Sequence, residues 1–444
     1  MATRGVPARF SRARRLLPVD GVRFGLPKPD KVVTIPLRDA GSLAGVFGRN
    51  TVFETLDPAP ADAILGLIAE HRNDPRPQKV DLGVGVFRTA EGETPVLDVV
   101  KIAEQRLVDT QDSKAYIGTA GDARFNKAMQ ELTFADAVDT DRLMTIQAPG
   151  GSGSLRVAAS LILRARPEAT VWVSDPTWAN HIPLLGGAGL TLKPYPYYDT
   201  EKHVIRIDQM LDTLAQAPAG DLVLLHACCH NPSGLDPSED DWRAIADVIV
   251  ERELVPFIDM AYQGFASSLA ADAFAVQHLA GRVPEMIVTN SCSKNFGLYR
   301  DRVGTLSILS AGRASRDTVY SQVNNVVRTI YSVPPDHGAV VVSTILNDPE
   351  LKAAWRLELA AMRGRLREMR VLLNDELKVG APNHDFSHLV RAVGMFCFLG
   401  VTADQVSRLK KDYGVYMVDS SRINIAGITA GNVNYLAESI AAVL

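Results

Sequence analysis

One lysine of this chain stands in a setting that suits covalent chemistry with an aldehyde. Lys294 follows the apolar, strand-like run at residues 286–289; Ser291 and Ser293 come just before it, and Arg302 comes eight residues after it. A lysine held at a strand end is well placed to form a Schiff base, while hydroxyls and a guanidinium suit a phosphate group. Pyridoxal phosphate (PLP) would use both. The alternative for this stretch, taken alone, is a surface lysine in a polar turn.

Three further residues near strand ends could hold the ring of such a cofactor. Asp259 follows the apolar run at residues 254–258, and a carboxylate there would keep a pyridine nitrogen protonated, so that the ring can withdraw electrons. Asn231 could donate to a ring hydroxyl oxygen, and Trp178 could stack on the ring. The alternatives are a helix-capping aspartate, a common Asn-Pro turn and a core tryptophan.

A glycine-rich segment offers a place for an anion. Residues 149–154 follow the apolar run at residues 143–146 and precede the helical run at residues 155–163. Glycines let backbone N–H groups approach an anion, and a helix N-terminus adds partial positive charge. No Gly-Lys-Ser/Thr follows, so this is not a Walker A loop. Taken alone, a simple tight turn explains the segment equally well.

Two arginines could bind carboxylates. Arg422 lies in a strand-like run at residues 420–427, and Arg328 lies in residues 327–335. An arginine in an apolar strand is costly to bury unless a carboxylate pairs with it, and its bidentate fork suits the α-carboxylate of an amino acid. Arg328 by itself is typical of a surface residue.

Composition narrows the class of protein. The chain has 444 residues, 46% of them hydrophobic and 22% charged, with a net charge of −4, which gives no reason to expect nucleic acid binding. No apolar run approaches the ~20 residues of a membrane helix, so no membrane partner is expected. Four cysteines are too few and too poorly spaced for a disulfide framework or a zinc site, which favours a cytoplasmic location.

The length and the pattern of the chain predict a two-domain α/β protein. Short apolar strands alternate with helical runs from about residue 80 onward, as in a mostly parallel sheet covered by helices on both faces. Ligands bind such sheets beyond the carboxyl ends of the strands. Residues 1–51 are rich in basic residues and prolines; we expect an unstructured extension or a mis-assigned start there, with a targeting segment as the alternative.

Taken together, these motifs resemble the class I, fold-type I aminotransferases, in the group that acts on aspartate and aromatic amino acids. The resemblance extends from about residue 52 to residue 444. The motifs that carry it occur in the family's order: residues 81–87, 116–118, 149–154, 178–181, 226–232, 259–264, 291–302 and the strand of Arg422.

The resemblance implies a fold and a domain division. The fold would be that of PLP-dependent transferases of fold type I, with a large domain built on a mostly parallel seven-stranded sheet and a smaller α/β domain. Residues 52–94 would form an N-terminal arm and part of the small domain, residues 95–361 the large PLP-binding domain, and residues 362–444 the rest of the small domain.

The resemblance also implies a role for each site residue. Lys294 would hold PLP as a Schiff base and then move the substrate proton; Asp259, with His181 behind it, would pair with the ring nitrogen. Tyr262 and Asn231 would hydrogen-bond the ring oxygen, and Trp178 would stack on the ring. The phosphate would be held by Gly151, Ser152, Ser291, Ser293 and Arg302, together with Tyr116 of a partner subunit. Arg422 and Gly85 would bind the substrate α-carboxylate, and Arg328 of the partner would bind a side-chain carboxylate, so that a homodimer is required.

Three departures from the aspartate-preferring pattern bear on specificity. Asparagine is common in those enzymes where this chain has Ala115 and Val333, and threonine is common where it has Ser152. Because an apolar lining favours a large ring, we expect transamination of phenylalanine, tyrosine and tryptophan with 2-oxoglutarate, by a ping-pong mechanism. Aspartate activity should accompany it, since Arg328 is retained.

Three alternatives stay open at this point. Aspartate could be the main substrate. The chain could be a PLP lyase that releases ammonia from a β-substituted amino acid, or a PLP-binding regulator without activity. The last would need an attached DNA-binding helix-turn-helix, for which the N-terminal segment shows no pattern.

Overall fold

The computed structural model describes residue 53, residues 55–59 and residues 63–444. The predicted N-terminal extension, residues 1–51, lies outside the described residues. Residue 53 and residues 55–59 belong to no helix or strand, and the helices and strands given below lie in the unit of residues 61–444. The division at residues 94 and 361 stays a prediction.

A seven-stranded sheet forms the centre of this unit. Its strands, in spatial order, are β2 (Leu143–Pro149), β10 (Val303–Leu309), β9 (Met286–Ser291), β8 (Val255–Met260), β7 (Leu222–His226), β3 (Thr170–Asp175) and β4 (Thr191–Pro196). Neighbours pair in parallel except at β10, which is antiparallel to both β2 and β9. The predicted mostly parallel sheet of an α/β fold is therefore confirmed.

Six short strands complete the set. They are β1 (Val80–Asp81), which pairs with β12 (Val415–Tyr416); β5 (Tyr198–Asp199), which pairs with β6 (Val204–Ile205); and β11 (Phe396–Phe398), which pairs with β13 (Arg422–Asn424).

The described helices come before, between and after the strands. In chain order they are α1 (Ala63–Asn73), α2 (Asp98–Thr110), α3 (Ala123–Phe134), α4 (Gly150–Ala165), α5 (Ile207–Leu214), α6 (Glu239–Glu251), α7 (Phe274–Ala280), α8 (Arg313–Ile330), α9 (His337–Asn347), α10 (Pro349–Gly380), α11 (His388–Arg391), α12 (Ala403–Tyr413) and α13 (Val433–Ala441). Within the described part, no helix is both long and apolar enough to cross a membrane.

Helices cover both faces of the central sheet because its strands are apolar on both sides. Leu222 and Leu224 of β7 belong to one apolar cluster with α4 and α8, whereas Val223 and Leu225 belong to another with α5, α6 and α7. This alternation follows from the two-residue period of a strand. Both faces are thus largely apolar and buried, and a ligand can reach the sheet only at the strand ends.

A third apolar cluster lies around the long helix α10. Leu359, Leu366 and Leu373 of α10 are buried there with residues of β11, β13 and α13. The helix begins with Asp348 as its N-cap and a proline in its first turn, a strong start signal. This cluster positions Arg422, the first residue of β13.

The helix after β2 begins earlier than the sequence pattern predicts. The glycine-rich segment was expected to precede a helix over residues 155–163, but α4 begins at Gly150. Glycine and serine are poor helix formers in a helix interior, yet the first-turn N–H groups need no intrahelical acceptor. The segment therefore presents its N–H groups from the helix itself.

Candidate active site

Most of the predicted site residues line one cavity of about 230 Å³. It lies beyond the carboxyl ends of β7, β8 and β9 and beside the N-terminus of α4, where parallel sheets bind ligands. The predicted residues that line it are Gly85, Gly151, Ser152, Trp178, Asn231, Asp259, Tyr262, Ser291, Ser293, Lys294 and Arg302. A larger cavity of about 750 Å³ has no lysine and no histidine in its lining and offers no comparable chemistry.

Lys294 is a half-buried residue in a turn that follows β9. Its Nζ lies 4.7 Å from the centre of the Tyr262 ring. Burial lowers the pKa of Lys294 to about 8, although Asp259 raises it, and Arg302 lowers it further. A larger share of neutral amine is therefore present near neutral pH than for an ordinary lysine, as a nucleophile requires.

One end of the cavity is built for an anion. Ser291 Oγ lies 3.0 Å from Ser293 Oγ, next to the first turn of α4. Arg302 has a left-handed backbone (φ +57°), and its Nη1 donates to the carbonyl of Tyr299 at 3.1 Å. Its guanidinium lies against Gly150, where an added Cβ would come within 2.6 Å of Nη2. The hydroxyls, the guanidinium and the helix N-terminus together suit a phosphate.

The other end of the cavity carries Asp259, which is held by a buried histidine. Oδ2 of Asp259 lies 3.0 Å from Nε2 of His181, and Oδ1 lies 3.4 Å from the hydroxyl of Thr289. Burial on its own raises the pKa of Asp259, but the hydrogen bond with His181 and nearby positive charge, including Lys294, outweigh it, so this pKa is lowered. Asp259 is therefore a carboxylate at neutral pH.

A chain of hydrogen bonds leads from Asp259 through two histidines to the backbone of Asn231. Since a carboxylate only accepts, Nε2 of His181 donates to Asp259, and Nδ1 of His181 lies 2.8 Å from the Thr177 hydroxyl. That hydroxyl in turn accepts from Nε2 of His226 at 3.3 Å, and Nδ1 of His226 accepts from the N–H of Asn231 at 3.3 Å. Burial lowers the pKa of His226 to about 3 and keeps it neutral. The hydrogen bond from Asn231 thus fixes the tautomer of His226, and Thr177 connects His226 to the His181–Asp259 pair.

Arg422 lies beside the cavity without lining it. It is buried; its Nη2 donates to the carbonyl of Gly83 at 2.8 Å, while its Nε has no partner. No carboxylate pairs with it among the described residues. A buried guanidinium without a counter-ion is costly, which favours a site that receives an anion from outside.

Two predicted residues lie away from this cavity. Tyr116 is 94% exposed. Arg328 is an exposed residue of α8 whose Nη1 donates to Ser332. Within a single chain, neither residue contributes to the cavity lining.

Sequence reasoning missed several residues of the site. His226, Cys228 and Tyr299 also line the cavity, and the Tyr299 hydroxyl accepts from the N–H of Phe87 at 2.8 Å. Thr177 and His226 carry the hydrogen bonds behind Asp259. A histidine at the end of an apolar strand was the available signal for His226; nothing in the local sequence distinguishes Tyr299.

The cavity fits PLP by the chemistry of its side chains. An anion site, the Asp259 carboxylate, the Lys294 amine and the Trp178 ring all line this one cavity. These are the groups that a phosphate, a pyridine nitrogen and an aldehyde would meet. Among the described residues, no group of histidine, cysteine or carboxylate side chains is arranged to hold a metal ion.

Comparisons with known proteins agree with this chemistry. The model of the family "Aminotransferase class I and II" matches residues 77–440. The chain is 44% identical over 396 residues to the aspartate aminotransferase of Escherichia coli (88% of this chain, 100% of that protein). It is 45% identical over 394 residues to the aromatic-amino-acid aminotransferase of Pseudomonas aeruginosa (88% and 98%).

A solved structure agrees as well. The aromatic-amino-acid aminotransferase of Burkholderia pseudomallei, covalently bound to PLP, superposes with a TM-score of 0.87 at 40% identity, covering 89% of this chain and 100% of that chain. The predicted family is confirmed: the chain belongs to the class I and II aminotransferases.

Proposed function

We propose that this aminotransferase moves the amino group of an aromatic amino acid or aspartate to 2-oxoglutarate in a ping-pong cycle. The observation that carries the proposal is one cavity whose lining holds the Lys294 amine, with its lowered pKa, the Asp259 carboxylate and an anion site. Relatives named for aspartate and for aromatic amino acids match the chain almost equally well, which supports both activities.

PLP is the cofactor, and when bound it supplies an electron sink and a temporary carrier for the amino group. Lys294 would hold it covalently. Asp259, oriented by His181, would pair with the ring nitrogen; Tyr262 and Asn231 would bind the ring oxygen, with Trp178 on the ring face. The phosphate would be held by Gly151, Ser152, Ser291, Ser293 and Arg302.

Lys294 also suits the proton transfer of the reaction. Once its Nζ is free, a pKa of about 8 lets it accept a proton from the substrate carbon and return it at a nearby atom with little driving force lost.

Substrate specificity would depend on carboxylate binding and on the apolar lining. Arg422 and the backbone of Gly85 would take the α-carboxylate, which both substrate classes share. Ala115 and Val333 replace amides common in aspartate-preferring enzymes. Neither lines the cavity within a single chain; in the assembled site, burying an aromatic ring against such apolar groups would contribute a few kcal/mol. We therefore expect aromatic donors to lead, with aspartate second.

The complete site would need two subunits. Tyr116 and Arg328 are exposed and lie outside their own chain's cavity, as expected if each reaches the site of a partner. Tyr116 would bind the partner's PLP phosphate, and Arg328 would bind the side-chain carboxylate of a dicarboxylic substrate. The proposal therefore requires a homodimer. Within each subunit, residues 95–361 would form the large domain.

A cytoplasmic location is also part of the proposal. All four cysteines are free, buried thiols. This state is stable where glutathione and thioredoxin keep the compartment reducing.

Product analysis of the purified holoenzyme tests the proposal. Phenylalanine with 2-oxoglutarate should yield phenylpyruvate and glutamate in equal amounts, with no turnover when the acceptor is left out. The Lys294→Ala variant should fail at this reaction. Ammonia released without an acceptor would instead indicate a lyase, and normal turnover by Lys294→Ala would overturn the site assignment.

A further inference from the structure

One aromatic side chain, Phe396, lies against parts of the site that come from separate sequence motifs. The ring of Phe396 lies 4.5 Å from the guanidinium carbon of Arg422 and 6.2 Å from the Tyr262 ring, edge to face. Its Cζ would lie 3.2 Å from a Cβ placed on Gly85. Phe396 is itself 4% exposed. It therefore contacts Arg422 and two cavity-lining residues at once.

The position of Phe396 is set by backbone pairing. In the β11–β13 ladder, Phe396 is opposite Asn424 and Phe398 is opposite Arg422. Phe396 is thus the diagonal cross-strand neighbour of Arg422, a spacing that aromatic and long side chains can bridge. Asn424 in turn donates to the carbonyl of Val86 at 2.8 Å, next to Gly85.

A second buried arginine holds the strand that carries Phe396. Arg370 of α10 is 1% exposed and donates from Nη2 to the carbonyls of Gly394 and Phe396, both at 2.9 Å. It donates from Nη1 to Leu389 at 3.1 Å. These hydrogen bonds all go to backbone carbonyls. Arg370 therefore fixes the backbone conformation of residues 389–396.

The guanidinium of Arg422 needs such support because little else restrains it. One protein acceptor, the carbonyl of Gly83, receives a hydrogen bond from it, and its Nε lacks a partner. An aromatic face attracts a cation and fixes the plane of a guanidinium without competing for its N–H groups. Those N–H groups stay available to a carboxylate ligand.

We propose that Phe396 is a positioning residue that holds the Arg422 fork in the plane that receives the substrate α-carboxylate. This inference rests on the proposed role of Arg422. Because every amino acid and 2-oxo acid substrate carries this carboxylate, Phe396 acts on both halves of the reaction and on both substrate classes.

Phe396→Met tests the proposal, since methionine keeps much of the volume but removes the aromatic face. Phe398→Met is the matched control: Phe398 is on the same strand, is 6% exposed and is directly opposite Arg422, yet its ring stacks on Tyr198 at 5.1 Å. Tyrosine is unsuitable at position 396, because its hydroxyl would extend from Cζ toward Gly85.

The measurement is the Kd of 3-phenylpropionate, a phenylalanine without its amino group, for the PLP-loaded enzyme and its variants. The Kd should rise about tenfold in Phe396→Met, the size of a desolvated cation–π contact, and stay near wild type in Phe398→Met. The uncharged 3-phenylpropanamide should bind Phe396→Met and wild type alike. In Phe396→Met, the KM for phenylalanine should increase by a larger factor than the factor by which kcat decreases.

A double-mutant cycle separates this inference from the function on which it rests. If Phe396 acts through Arg422, Phe396→Met should have little further effect on 3-phenylpropionate binding in an Arg422→Lys background. An additive effect there, or equal losses for the acid and the amide, would overturn the role of Phe396. If Arg422→Lys itself leaves binding of the acid unchanged, the proposed α-carboxylate site fails instead.

Discussion

At the scale of single residues, the environment of Lys294 makes it reactive. An ordinary lysine amine is almost fully protonated at neutral pH, whereas burial lowers the pKa of Lys294 to about 8 against the opposing effect of Asp259. Partial removal from water thus makes the amine a better nucleophile near neutral pH. The Asp259 carboxylate keeps this shift from becoming larger.

This balance predicts the pH dependence of cofactor uptake by the apoenzyme. Only the neutral amine attacks an aldehyde, so the rate of PLP incorporation should rise about tenfold per pH unit and level off above about pH 8. Absorbance of the PLP–lysine linkage follows the reaction. A plateau only above pH 10 would show that Lys294 is solvated like a surface lysine.

The variant Asp259→Asn should change the pH dependence of PLP incorporation. Removing the carboxylate that raises the pKa of Lys294 should shift the inflection to lower pH. Transamination should still fall by several orders of magnitude, because the ring nitrogen loses its partner. An inflection that moves to higher pH would contradict the proposed electrostatics.

At the scale of elements, the backbone shape at the junction between β2 and α4 contributes to the proposed phosphate site. Gly150 has φ +68° and lies against the Arg302 guanidinium, which a Cβ would displace. The sequence indicated an anion-binding glycine segment at this point. It could not indicate that Arg302, from beyond β9, would pack on that glycine, because the contact depends on the pairing of β10 with β2.

Gly150→Ala should weaken PLP binding more than it weakens the fold. The left-handed backbone costs an alanine about 1–2 kcal/mol, and the displaced Arg302 should raise the PLP Kd by about tenfold or more. Gly92→Ala is the control, since Gly92 has φ +86° with nothing near its Cβ position. Equal PLP affinity in the two variants would remove Arg302 from the phosphate site.

Strands that appear as short apolar runs can be predicted from the sequence, whereas contacts between segments that are distant in the sequence cannot. The strands ending near Asp259 and Ser291 stand out as short apolar runs, and both were predicted. The antiparallel β10 and the hydrogen bonds through Thr177 and His226 arise only once distant segments pair. Phe396 looks like a core aromatic in the sequence, because its contact with Arg422 depends on the β11–β13 register.

At the scale of the whole molecule, we propose that two chains share each active site. Lys294 lines its own chain's cavity, whereas Arg328 is exposed on α8. The sequence predicted this arrangement only through the resemblance to a family. If each site takes Lys294 from one chain and Arg328 from the other, a subunit that lacks Lys294 and a subunit that lacks Arg328 can form one intact site between them.

Mixing two inactive variants should therefore restore activity toward aspartate. A hybrid dimer of Lys294→Ala and Arg328→Ala subunits would contain one intact site, so random exchange should recover about a quarter of wild-type activity. The assay is aspartate turnover after subunits are dissociated and reassembled. No recovery, with dimers shown to have exchanged, would place Arg328 outside the partner's site.

The central claim is transamination of aromatic amino acids and aspartate in one site. The most direct test is kcat/KM for phenylalanine and for aspartate on the purified protein, with 2-oxoglutarate as the acceptor. We predict activity with both, and a value for phenylalanine equal to or higher than that for aspartate. A strong preference for aspartate would show that Arg328 governs the pocket rather than Ala115 and Val333, and no acceptor-dependent turnover of either would contradict the account.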